Sequence, residues 1–114
     1  MTAKNIKIRI YHGAVSAIGP GKADLLEAIA QAGSISAAAR SMGMSYKRAW
    51  DLVDTMNKCF KKPLVITATG GSQGGGAEIT EFGRDVLRRY RELETKAAQS
   101  VLNELSALNT LLAE

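Results

Sequence analysis

Polar residues alternate with Ile6, Ile8 and Ile10 over residues 4–12, and this period-two pattern of β-branched side chains predicts a half-buried strand. Ile18-Gly19-Pro20-Gly21 interrupts it. Residues 23–32 then place Leu25, Leu26, Ile29 and Ala30 at helical spacing, with Gly33 as the expected C-cap. Ser34 is the expected N-cap of a second helix over 35–42, closed by Gly43. Ser45 caps a third, from 46 to about 60, which Lys61-Lys62-Pro63 stops. The β-branched run 64–69 predicts a strand, Gly70 to Gly76 a loop, and 77–79 a returning strand, together a hairpin with a long glycine-rich tip. Thr80 caps a last helix expected to run unbroken from 81 to about 112.

That last helix is longer than a small domain needs. Val86, Tyr90, Leu93, Ala97, Val101, Leu105, Leu108 and Leu112 step along it by four, three, four, four, four, three and four residues. A near-heptad stripe with one slip suits a helix-packing seam, and little chain is left to cover it from within. A homodimer is therefore expected through this stripe.

The predicted order of strand, three helices, hairpin and helix is that of a winged helix-turn-helix, mainly α with a small β component. Residues 1–80 form the expected DNA-binding domain and 81–114 the long dimerisation helix. Two helices that meet steeply through the turn Met42-Gly43-Met44-Ser45 need a small residue where they touch, which Ala39 supplies. Gly43 can take a left-handed conformation there. Ile35, Ala38, Met42, Ala49, Leu52 and Val53 then fall on inward faces.

Charge adds a direction. The net charge of the 114 residues is +4. Lys4, Lys7, Arg9 and Lys22 precede the first acid, Asp24, and Lys47, Arg48, Lys58, Lys61 and Lys62 gather around the third helix. Past Arg91 the sign turns, with Glu92, Glu94, Glu104 and Glu114 against Lys96. The body suits phosphates and the tail points elsewhere. No apolar run is long enough to span a membrane, and no export signal is seen, so a cytoplasmic protein without a membrane partner is expected. One cysteine and one histidine offer neither a disulfide nor a metal cluster.

With the third helix in a major groove, Ser45, Tyr46, Lys47 and Arg48 approach the bases or phosphates. Trp50, one turn on, either anchors the core between helix and wing or lies beside the DNA backbone. In the wing, Thr67, Thr69, Ser72, Gln73 and the bare amides of Gly70, Gly71, Gly74 and Gly75 can approach sugar and phosphate closely. A nucleotide-binding P-loop is excluded, since that loop has no lysine and a strand follows it. Enzymatic readings fail as well. His12 is expected at a strand end, Cys59 as a small core residue, and no nucleophile has a base beside it.

The strings Ser34-Ile35-Ser36, Ser45-Tyr46-Lys47, Ala49-Trp50-Asp51, Met56-Asn57 and Ala68-Thr69-Gly70-Gly71-x-x-Gly74-Gly75-Gly76-Ala77 resemble the N-terminal domain of ModE, the molybdate-responsive regulator family. Thr80 and Gly83 continue the match, which runs from about 21 to 90. The resemblance implies a dimeric repressor on palindromic double-stranded operators of molybdate-related genes. It implies DNA contacts from the third helix and the wing, and Ser34 and Ser36, which stand in one of the matching strings, are further DNA-contact candidates. It implies a dimer interface from the first helix (Leu25, Leu26, Ile29) and the last (Tyr90, Leu93, Ala97, Val101, Leu105, Leu108, Leu112). Members of the family that sense molybdate carry oxyanion-binding domains after the long helix, and the chain ends at Glu114, so no intrinsic molybdate binding and no cofactor are expected. Two other readings are a module that heterodimerises with a full-length ModE-like regulator and a non-specific DNA binder.

Overall fold

The computed structural model describes residues 6–68 and 76–114. Two short strands, β1 (Ile10–His12) and β2 (Val15–Ile18), pair antiparallel around Gly13, whose φ of 63° makes the tight reversal. The expected strand over 4–12 is thus corrected. Only its end is a strand, and it folds back on Val15–Ile18, of which only Ile18 lay in the expected break, with a register irregularity between Ile10 and Tyr11. Alternation alone predicted one strand because Val15 and Ala17 lie beyond a glycine that served as the turn. Residues 4 and 5 of that expected strand lie outside the described residues.

Helix α1 (Pro20–Ala32) starts earlier than expected, because Pro20 sits at its first turn, where a missing N–H costs nothing. Gly33, at φ 77°, closes it by donating its amide to Ile29 O. Helices α2 (Ile35–Ser41) and α3 (Tyr46–Cys59) follow with the expected caps. The Ser34 hydroxyl accepts from the Ala37 amide at 3.0 Å, and that of Ser45 from the Arg48 amide at 3.1 Å. Gly43 takes φ 68° between them, and the Met44 amide returns to Ala39 O at 3.0 Å.

Strands β3 (Val65–Thr67) and β4 (Ala77–Ile79) pair antiparallel, Val65 opposite Ile79 and Thr67 opposite Ala77. Helix α4 (Glu81–Ser100) is capped by Thr80, whose hydroxyl accepts from the Gly83 amide at 2.8 Å. A separate α5 (Leu102–Asn109) follows, so the unbroken helix from 81 to about 112 is also corrected. The break falls at Val101, inside the run of four-residue steps. Ser100 turns its hydroxyl onto Ala97 O at 2.8 Å, and that carbonyl is the acceptor Val101 would use to continue the helix.

The core gathers Leu25, Leu26 and Ile29 of α1, Ile35 and Ala38 of α2, Ala49, Val53 and Met56 of α3, and Leu64, Val65, Ile79 and Tyr90 around them. Leu25, Leu26, Ile29, Met56 and Leu64 are fully buried. At about 1.5–3 kcal/mol for each large apolar side chain taken from water, this cluster is the main source of stability. Phe60 meets Phe82 edge-on, with ring centroids 6.5 Å apart, and so joins the end of α3 to the start of α4.

Candidate nucleic-acid interface

Helix α3 buries Ala49, Val53 and Met56, and helical spacing turns Lys47, Trp50, Asp51 and Asp54 away from them, while Tyr46 is exposed at the first turn of the helix. Tyr46 is 56% and Trp50 44% exposed. Of the two expectations for Trp50, the core anchor is corrected: Ala49 and Val53 occupy the inward positions and leave the indole outside. Lys47 is held by Asp51 at 3.0 Å and Lys58 by Asp54 at 2.9 Å, all on the solvent side. Arg48 is exposed on the first turn.

Ser34 and Ser45 spend an oxygen lone pair on their helix ends, and each hydroxyl keeps a proton to donate. Ser36 is exposed and accepts from the Arg40 guanidinium at 3.1 Å. Thr67 lies exposed on β3. The wing candidates Thr69, Gly70, Gly71, Ser72, Gln73, Gly74 and Gly75 lie outside the described residues.

The wing is fastened to the rest of the fold at three points. Ala77 donates its amide to Gly33 O at 2.9 Å, directly before the cap of α2. Asn57 donates to Val65 O at 3.0 Å and accepts from the Leu64 amide at 2.8 Å, so α3 carries the first wing strand. Gly83 lets α4 close on the same strand. A Cβ there would overlap the Leu64 carbonyl and lie 2.8 Å from Ile79 Cγ1. These contacts tie both wing strands to the helices around them.

Basic charge also extends away from the wing. Strand β2 packs on α3 and α1, and the Lys22 ammonium donates to Ser16 O at 2.8 Å. Burial holds the Lys22 pKa below the usual lysine range, and the charges of Arg9 and Arg48 push it the same way, against an opposing effect of Cys59.

The chain matches, over residues 22–84, the family described as bacterial regulatory helix-turn-helix protein, lysR family. It belongs to that family. This lysR-family chain is 46% identical over 91 residues to the molybdenum transport protein ModE of Azotobacter vinelandii, covering 80% of the chain and 33% of that protein. It is 46% identical over 101 residues to the molybdenum-pterin-binding protein MopA of Rhodobacter capsulatus, covering 82% and 38%. The DNA-binding transcriptional dual regulator ModE of Escherichia coli K12 is 41% identical over 99 residues, covering 82% and 37%. The chain thus spans about a third of the length of these curated relatives, and the resemblance to ModE drawn from its motifs stands. A solved CbnR_DBD–DNA complex shares the fold, with a TM-score of 0.58 at 20% identity, over 77% of this chain and 95% of that one.

In this lysR-family domain the dimer candidates divide. Leu25, Leu26 and Ile29 have no exposed surface and Tyr90 is 4% exposed. They are corrected as contact residues, because α1 runs through the centre of the fold and a side chain enclosed by its own chain has nothing to offer a partner. Leu93, Leu108 and Leu112 are exposed at 40%, 60% and 68%, and Ala97, Val101 and Leu105 are half-buried. The Tyr90 hydroxyl donates to Ile8 O at 2.6 Å, which docks the N-terminal segment on α4, and burial pushes its pKa up to about 12.

Sequence reasoning missed Asn57 as the wing's holder and Arg91 as a clamp. Arg91 reaches Asp24 at 2.8 Å and Glu27 on α1, and Glu94 at 3.0 Å on its own helix. Burial works against its charge, yet the three carboxylates prevail and hold it above the ordinary arginine range. The Glu94 spacing was visible as an i,i+3 pair. The contacts with Asp24 and Glu27, 67 and 64 residues away, had no local signal. Among the described residues, no group of three or more His, Cys, Asp or Glu side chains comes together to hold a metal, and no helix is long and apolar enough to cross a membrane.

Proposed function

We propose that this chain is the operator-binding domain of a dimeric, ModE-type transcription repressor acting in the cytoplasm on molybdenum-related genes. The exposed side of α3 carries the proposal: Lys47 and Trp50 are turned away from the buried Ala49, Val53 and Met56, and Tyr46 and Arg48 lie exposed on the first turn. A helix seated in the major groove presents its N-terminal residues to base edges. There Lys47 and Arg48 donate to guanine O6 and N7, each base-specific contact discriminating by about 1–3 kcal/mol. Ser45, Tyr46 and Trp50 meet phosphate and sugar, with Ser34 and Ser36 on the neighbouring turn and the wing, Thr67 and the tip residues included, on the flanking backbone.

The apolar positions Leu93, Ala97, Val101, Leu105, Leu108 and Leu112 are the proposed dimer seam, which pairs two reading helices on a palindromic site. The molybdenum connection rests on the names of the relatives. Selection of duplexes from a random pool, followed by gel shifts across a salt series, tests the reading. A defined palindromic motif is expected, with binding that weakens steeply as salt rises, because each neutralised phosphate adds about −0.9 to the log–log slope. Lys47→Ala with Arg48→Ala should abolish the preference for that motif and leave the sedimentation coefficient alone. Retention of full preference would refute the assignment, and no shift at low salt would favour a role as a protein-interaction module.

A further inference from the structure

We propose that the N-terminal hairpin and the start of α1 form a further contact with the DNA sugar–phosphate backbone, on the flank of α3 that Arg48 occupies. The inference rests on the reading of the chain as a DNA-binding domain and adds an element that precedes the family match, which begins at residue 22. Three cations from three elements converge there. Arg9, on the lead into β1, lays its side chain across Gly19, where an added Cβ would come within 2.9 Å of Arg9 Cγ. Lys22, in the first turn of α1, is bonded to Ser16 O of β2 at 2.8 Å. Arg48, in the first turn of α3, and Arg9 both lie close enough for their charges to act on Lys22. Strand β2 packs on both α1 and α3 and holds the group together.

Lys47, Lys58, Arg88, Arg89 and Arg91 each have a carboxylate within 4 Å or less. Among the described residues Arg9, Lys22 and Arg48 share the lack of a carboxylate partner with Lys7, Arg40, Lys61, Lys62, Arg84 and Lys96, and what sets the three apart is their convergence. Like charges gathered without a counter-ion repel, and a partner carrying closely spaced negative charge relieves that repulsion. Duplex DNA carries one negative charge per ~1.7 Å of its axis. The same end of α1 has no side-chain cap and no acid in its first turn, so its backbone dipole adds to the positive field. Because Arg48 also belongs to the first turn of the reading helix, a duplex engaged by α3 comes alongside this group.

The test compares the 114-residue protein with Arg9→Gln, Lys22→Gln, Arg9→Lys and Arg88→Gln, binding a labelled duplex of random sequence and the best selected duplex across a salt series. Arg9→Gln and Lys22→Gln should each flatten the log–log salt slope by about 0.9. They should weaken both duplexes by the same factor, because phosphate contacts carry no sequence information. Arg9→Lys, which keeps the charge, and Arg88→Gln, which removes a charge already paired with Asp85, should keep the wild-type slope. A wild-type slope in Arg9→Gln and Lys22→Gln overturns the inference and leaves the reading by α3 intact. An equal flattening by Arg88→Gln also overturns it, because net charge would then be the cause. Absence of salt-dependent binding by the wild-type protein overturns both.

Discussion

Asn57 is where α3 and the wing become one unit. The Thr80 amide bonds Leu64 O at 2.8 Å and the Ala68 amide bonds Gly76 O at 2.9 Å, which leaves Val65 at the non-bonded position of the β3–β4 ladder. Its own N–H and C=O point away from β4. Asn57 takes both, accepting from the Val65 amide at 3.3 Å and from the Leu64 amide at 2.8 Å, and donating to Val65 O at 3.0 Å. Leu64 is fully buried and Val65 3% exposed, so water reaches these groups poorly. Asn57→Ala removes the partner and leaves the backbone groups in place. An orphaned buried polar group costs about 1–3 kcal/mol. With the Leu64 amide fully orphaned and the Val65 groups partly rehydrated, the expected loss is ~2–4 kcal/mol. Against a total of about 5–15 kcal/mol this is large. Urea unfolding followed by circular dichroism should show it as a lower midpoint at constant slope. Hydrogen exchange should show the Leu64 and Val65 amides losing more protection than those of Leu25 and Leu26 in the core. The exposed Asn103, changed to alanine, serves as the control. A midpoint for Asn57→Ala that corresponds to less than about 0.5 kcal/mol, the usual range for surface changes, would refute the reasoning.

Further outcomes follow from other contacts. On helix propensity alone Gly83→Ala should stabilise α4 by about 1 kcal/mol, but the clash with the Leu64 carbonyl and Ile79 predicts a loss of about 1–3 kcal/mol or more, and a raised melting temperature would show the packing argument to be wrong. The Tyr90 phenol is favoured in its neutral form by the fold, with a pKa of about 12 against an ordinary value of about 10. Its contribution is complete below pH ~10 and is lost as pH rises through the folded value, so stability should fall across that window. Tyr90→Phe should flatten that limb of the pH profile, and an unchanged limb would refute the assignment. Asp51→Asn releases Lys47 and removes a negative charge from the outward face of α3, so binding to random duplex should tighten while stability drops by only about 0.3–0.5 kcal/mol; weaker binding would count against that face meeting phosphate. Leu105→Asp should lower the sedimentation coefficient and operator affinity together through lost bivalency, and an unchanged coefficient would remove α5 from the seam.

Much of the frame was legible because its signals are local. Ser34, Ser45 and Thr80 cap the helices they were expected to cap, each accepting an amide three residues ahead. Gly43 makes the turn, and residues 77–79 form a strand with unchanged bounds. Of the inward set, Ile35, Ala38, Ala49 and Val53 are buried as their spacing implied, and Met42 and Leu52 are partly buried against the same core. Legibility failed where a local pattern has two tertiary outcomes. Leu25, Leu26 and Ile29 form an apolar face whether they meet this chain's core or a second copy, and the packing of α1 decided for the core. The Trp50 ring suits a core or a surface, and α3's rotation about its axis, fixed by Ala49, Val53 and Met56, turned it outward.

The sequence by itself determined the identity and order of most elements, the caps and turn that join them, and the motif strings that mark the family. These depend on backbone geometry within a few residues, where side-chain period and hydrogen-bond reach act directly. Only the tertiary structure decided that Gly13 folds the first strand back, that Asn57 holds the wing, that Arg91 ties α4 to α1 and that β2 packs on both α1 and α3. Each of these joins residues whose separation along the chain, or whose choice between turn and spacer, carries no energy until the core has brought their elements together.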